Sequence, residues 1–174
     1  RTTVRCVRRA IDTLLTRHKE VLVIFEPGNH DPSSTIFMME MMAALYENEP
    51  RVIVDVTPRN VHYFSFGKCL VGTTHGDKKI KMSDLPLIMA TDKPKEWGES
   101  DHRYFWTGHV HHDQVKDYHG CKVESMRVLA PMDAHAASSG YRSMPAMQAI
   151  VLHHEFGEVD RHTVSPSMLN HASK

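Results

Sequence analysis

The stretch Val21-Leu22-Val23-Ile24-Phe25-Glu26-Pro27-Gly28-Asn29-His30-Asp31 decides how the chain is read. Five apolar residues in a row, closed by Pro-Gly, have the length and composition of a strand buried on both faces. Pro27-Gly28 stops that strand, so Asn29, His30 and Asp31 fall on a loop at its carboxyl end. In open α/β sheets that edge is where ligands bind. Upstream, Val4, Val7, Ile11, Leu14 and Leu15 recur at helical spacing, and the helix is expected to end near His18-Lys19. Downstream, Ser33 or Ser34 is expected to cap a second helix running to about Tyr46, whose Met38, Met39, Met41 and Met42 form an apolar face for core packing.

Beyond it, residues 52–56, 61–66 and 68–72 alternate or run apolar between the turn signals Thr57-Pro58-Arg59-Asn60 and Gly67, which predicts a three-stranded meander. The meander delivers Thr73-Thr74-His75-Gly76-Asp77 to a strand end. A helix carrying Leu85, Leu87, Ile88 and Met89 follows, then a polar stretch over 93–101. Residues 104–107 read as a short strand that runs into Gly108-His109-Val110-His111-His112. Strands are expected over 122–132 and 146–156, with Gly157-Glu158 turning the second into 159–164 and a frayed tail over 166–174. With no internal repeat and no linker, residues 1–174 read as a single domain of mixed α/β class.

Composition narrows the classes. The 174 residues carry 21 Lys plus Arg against 21 Asp plus Glu, a balance that leans away from a protein built around long polyanions. Arg1, Arg5, Arg8 and Arg9 are accordingly read as a solvated helix face. No apolar run reaches the roughly 18–20 residues of a membrane span, so no membrane partner is expected. Cys6, Cys69 and Cys121 are odd in number and far apart, which fits a reducing compartment and a cytoplasmic location. The excess lies in 14 His, the side chain of metal and proton chemistry near neutral pH.

Three strand-end loops carry Asn29-His30-Asp31, His75 and His109-x-His111. In an extended segment residues i and i+2 point the same way, so His109 and His111 are expected to share a target. An Asn carbonyl with imidazoles is a mixed nitrogen and oxygen donor set, better suited to Mn, Fe or Zn than to Mg or Ca. Asp31 beside His30 suits an imidazole held in one tautomer as a proton donor. His102, His112, His119, His135, His153 and His154 have no spacing partners that point to ligation, whereas Lys78, Lys79 and Lys81 can attract phosphate at a site rim.

Gly28-Asn29-His30-Asp31, His75-Gly76 and Gly108-His109-Val110-His111, in that order, resemble the calcineurin-like metallophosphoesterase family over nearly the whole chain. The pattern Tyr141-Arg142-Ser143, Gln148-Ala149-Ile150-Val151 and Gly157-Glu158-Val159 is similar to small stand-alone members of bacteriophage type. The resemblance implies a four-layer α/β/β/α sandwich of two mixed sheets and two divalent metal ions, with Mn favoured and Fe, Zn or Ni as the other options. It implies Asn29, His75 and His109 as ligands of one metal and His111 as a ligand of the other. His30 would stabilise the transition state or protonate the leaving oxygen, with Asp31 orienting it. The substrate would be a phosphomonoester or phosphodiester, with nucleic acid, nucleotide and phosphoprotein all open.

The chain departs from the family pattern at its start. Neither an Asp-x-His pair nor a Gly-Asp-x-x-Asp motif precedes the first helix, and Gly76-Asp77 follows His75 where a bridging Asp would precede it. The chain therefore reads as a member lacking its opening strand-loop-strand segment, with the second metal site incomplete. The alternative is a metal-poor, catalytically incompetent fragment that serves as a binding or structural module.

Overall fold

The computed structural model describes residues 2–30, 32–77, 80–110, 112–129 and 143–172. It divides into two compact units, residues 1–60 and 61–174. The class is mixed α and β, with a five-stranded mixed sheet and two smaller two-stranded sheets.

The first unit holds α1 (Thr2–Leu14), β1 (Val21–Val23), α2 (Pro32–Leu45) and β2 (Val52–Val54). β1 and β2 pair in parallel, Val21 opposite Val52 and Val23 opposite Val54. The expected meander is thereby corrected, because β2 hydrogen-bonds back to β1 and not forward to the next strand. A parallel pair needs a crossover between its strands, and α2 supplies it. Ile11, Val21, Met42, Tyr46 and Val52 are buried together, with Val4, Val7, Leu15 and Met38 packed around them. Met39 is also buried, whereas Met41 is 42% exposed, so the methionine face is core on one side only. Two-sided burial of the 21–25 run is corrected as well: Val21 is buried but Leu22 is 44% exposed. The second helix begins at Pro32, before either serine expected to cap it. Proline is favoured at the first helical position, where its missing N–H costs nothing.

The second unit is built on β3 (His62–Phe66), β4 (Cys69–Thr74), β5 (His102–Thr107), β6 (Gln114–Tyr118) and β7 (Cys121–Ser125), in the spatial order β3-β4-β5-β7-β6. β4, β5 and β7 run parallel, and β3 and β6 flank them antiparallel. One face carries Leu70, Phe105, Cys121 and Val123, packed with Leu85 and Met89 of α3 (Leu85–Asp92). The polar stretch expected over 93–101 contains α4 (Pro94–Glu99), again opened by a proline. The opposite face carries Cys69, Val71 and Tyr104, covered by Leu152 of the hairpin β8 (Met147–His153) and β9 (Gly157–Val164). Tyr118 and Cys121 are joined by His119 (φ 50°) and Gly120 (φ 78°). Two successive positive φ values are the signature of a two-residue hairpin turn. The strand expected to reach residue 132 ends at Ser125, and residues 166–172, expected to fray, form α5 (Pro166–Ala172). No helix among the described residues is long and apolar enough to cross a membrane.

Candidate functional site

The parallel core of the second unit has one carboxyl edge, and two of the candidate residues, His75 and His109, emerge from it. Register pairs Thr74 of β4 with Thr107 of β5, and Thr107 with Ser125 of β7, so the three strands finish level. His75 is the first residue past β4; Gly108 and His109 follow β5 directly. The Gly108 N–H donates to the His75 carbonyl at 3.0 Å, which carries the sheet pairing one step beyond the strands and holds the two loops together. Nε2 of His75 then lies 3.0 Å from Nδ1 of His109, with the rings at 71° to one another.

Two glycines make this approach sterically feasible. Gly76 has φ 86°, and a Cβ there would stand 2.8 Å from the Thr107 Cβ. Only a residue without a side chain allows the chain to turn beside β5 and keep His75 at the sheet edge. At Gly108 the nearest neighbour of a Cβ would be the His75 carbonyl oxygen at 3.5 Å, so that position is close without being blocked.

His109 itself has φ 65°, and the Val110 N–H donates back to the Gly108 carbonyl at 2.8 Å. The extended geometry expected at His109 is therefore corrected: β5 stops at Thr107 and the chain turns at His109. Alternation along a strand does not aim His109. The left-handed backbone does, a conformation that costs a non-glycine residue energy and clusters at functional sites. His111 and Asp31 lie outside the described residues, as do Lys78, Lys79 and His135. Asn29 and His30 are exposed on the turn between β1 and α2, in the first unit.

His112 Nδ1 lies 2.8 Å from the Val110 carbonyl and is exposed, and its own carbonyl accepts from Ser125 Oγ at 3.0 Å. Ser125 is fully buried at the end of β7 and was not singled out from the sequence. Thr107 is similarly buried, and its carbonyl accepts the Met126 N–H at 2.7 Å, which ties β7 to the same edge. A small buried hydroxyl beside a candidate loop has no spacing signal of its own, so only the folded sheet reveals it. His153 stacks on His154 and Phe156 and accepts two backbone N–H groups at Nδ1.

Ligands of a first-row cation at roughly 2.0–2.1 Å and at right angles to one another are about 3.0 Å apart. The His75–His109 separation suits two neighbouring ligands of one ion as well as it suits a shared proton. Both donors are imidazole nitrogens, which favours Zn, Fe, Ni or Mn over Mg or Ca. Among the described residues no group of three or more His, Cys, Asp or Glu side chains is placed to hold a metal ion. In comparison with known proteins, no family model, no curated protein and no solved structure matches the chain.

Proposed function

We propose that the protein is a metal-dependent phosphoesterase of the calcineurin-like kind, hydrolysing phosphomonoesters or phosphodiesters. The observation that carries this reading is the pair of imidazole nitrogens, His75 Nε2 and His109 Nδ1, 3.0 Å apart at the carboxyl edge of adjacent parallel strands. His75 and His109 would supply two nitrogen donors to one divalent cation, and the family resemblance adds Asn29 and His111 as the further metal ligands. Bound divalent cations neutralise a phosphoester anion and lower the pKa of water, which is the chemistry such an ester needs at neutral pH. The resemblance gives His30, oriented by Asp31, the role of proton donor to the leaving oxygen or stabiliser of the charge that develops on it. The four-layer α/β/β/α arrangement belongs to the same reading, as do a nucleic acid, nucleotide or phosphoprotein substrate and a cytoplasmic location.

The test is hydrolysis of a chromogenic phosphodiester by the full chain with and without added Mn. Turnover that requires Mn and disappears in both H75A and H109A is the expected result. Turnover that persists in a chelator overturns the proposal. A second reading is a metal-poor binding or structural module, for among the described residues no group of three or more His, Cys, Asp or Glu side chains is placed to hold a metal ion. Titration calorimetry with Mn or Zn separates the two, since two tight sites per chain are incompatible with the module.

A further inference from the structure

The balanced net charge of the chain hides a segregated one. Residues 2–19 contain Arg5, Arg8, Arg9, Arg17 and Lys19 against the single acid Asp12, so the excess of acid lies elsewhere. Such asymmetry between segments is a recognised mark of a polyanion-binding surface. On α1 the arginines form a surface and are not scattered. Arg5, Arg8, Arg9, Asp12, Thr13 and Thr16 line one open depression of about 370 Å³.

Asp12 does not neutralise that surface. Its Oδ1 accepts the Tyr46 hydroxyl at 2.6 Å, and its Oδ2 stands 3.6 Å from Arg8 Nε. One acid is thus committed to α2 and to one arginine. Among the described residues neither Arg5 nor Arg9 has an ion-pair partner, and both are exposed. They are four residues apart, one helical turn, which places their guanidinium forks on one side of α1. Each fork matches a phosphate through two parallel N–H donors.

We propose that this face of α1 is a docking surface for the phosphate backbone of a nucleic-acid duplex, read without regard to sequence. The opposite face of the helix decides against an anionic membrane. A surface-lying amphipathic helix must sink its apolar side into the lipid. Here that side, Val4, Val7, Ile11 and Leu15, is packed against Val21, Met42, Tyr46 and Val52. The lining also decides between nucleic-acid forms. Single strands are held by stacking bases on aromatic rings, and the depression is lined by arginine, threonine and aspartate alone. The inference stands apart from the phosphoester reading, since backbone binding requires neither metal nor turnover.

The experiment is fluorescence anisotropy of the full chain on a short labelled DNA duplex, in a chelator so that no hydrolysis intervenes. Binding that weakens from about 50 to about 200 mM salt, with a log–log slope of about −3, is expected for three phosphate contacts. The double variant R5A/R9A should bind at least about tenfold more weakly and lose about two units of that slope, while R5K/R9K keeps most of it. Unchanged thermal melting of both variants shows that the fold is intact. Binding equal in R5A/R9A and the parent overturns the proposal. So does an absence of duplex binding at low salt, or capture of anionic phospholipid vesicles in place of the duplex.

Discussion

His75 and His109 present ring nitrogens 3.0 Å apart from the ends of two parallel strands that two helices separate in sequence. Their encounter is fixed by backbone pairing, Gly108 N–H to His75 carbonyl, and not by the side chains themselves. Removal of either ring should therefore leave the sheet standing and, on the proposed reading, take away a metal ligand. H75A and H109A are each expected to weaken Mn or Zn binding by at least about tenfold in calorimetry, the scale on which even supporting partners of a ligand act. H30A, on the first unit's exposed turn, should lower turnover far more than metal affinity. Equal losses in both quantities would remove His30 from the chemistry and leave it a ligand or a structural residue.

Gly76 places the first of those rings. G76A forces a side chain into a backbone at φ 86° and sets its Cβ 2.8 Å from that of Thr107. Strain at a positive φ costs on the order of 1–2 kcal/mol, and relief of the clash must push the His75 loop off β5. The expected outcome is a loss of metal affinity comparable with that of H75A, at a modest cost in denaturant stability. G108A, whose Cβ has 3.5 Å of clearance, should behave nearly as the parent. Similar losses in the two variants would show that loop placement does not depend on the close passage at Gly76.

The elements that were legible in the sequence are those whose pattern is local. The apolar spacing of Val4, Val7 and Ile11 announces α1, and the loops bearing Asn29, His75 and His109 do follow strands or their ends. Pairing was not legible, because β1 and β2 meet across the whole of α2 and β4 and β5 meet across α3 and α4. No period in the chain records which strand lies beside which. β6 was missed for a different reason. Gln114-Val115-Lys116-Asp117-Tyr118 is an outer strand, mostly exposed and charged, as edges that resist aggregation are. His119-Gly120 was the available signal, a two-residue turn with glycine at its second position. The direction of His109 was misjudged because alternation holds only while a strand continues, and β5 ends two residues earlier.

The hairpin β8–β9 is clamped to the five-stranded sheet by charge. Arg161 donates to both oxygens of Glu124, to both of Glu158 and to Gln148, and Lys122 reaches Glu158 at 2.8 Å. Glu124 is only 3% exposed, so without Arg161 its charge would be left to Lys122 Nζ alone, 3.8 Å away. R161A is expected to cost about 3 kcal/mol in urea unfolding, the scale for breaking a buried pair by removing one partner. The Arg161 guanidinium, then Lys122, holds the Glu158 carboxyl below its ordinary value against the opposing effect of burial. A lowered carboxyl contributes stability that is complete above the unfolded value near 4.3 and lost as pH falls through the folded one. Thermal stability should thus decline below about pH 4.3, and the decline should be shallower in E158Q. An identical acid limb in E158Q would assign the decline to other carboxylates.

Burial also sorts the three thiols. Cys6 is exposed on α1, whereas Cys69 and Cys121 are buried in the two faces of the second unit's sheet. Burial pushes the Cys121 thiol up to about 12, and raises that of Cys69 as well. The thiolate is the reactive form, and at pH 8 a thiol of that acidity is ionised in about one molecule in ten thousand. An aromatic disulfide reagent added to the native protein at that pH should titrate one thiol quickly, and two more only when denaturant opens the sheet. C6S should abolish the fast phase and leave the slow one. A fast phase of two thiols would mean that Cys69 or Cys121 reaches solvent without unfolding, and would contradict the packing of Leu152 over one face or of Met89 over the other.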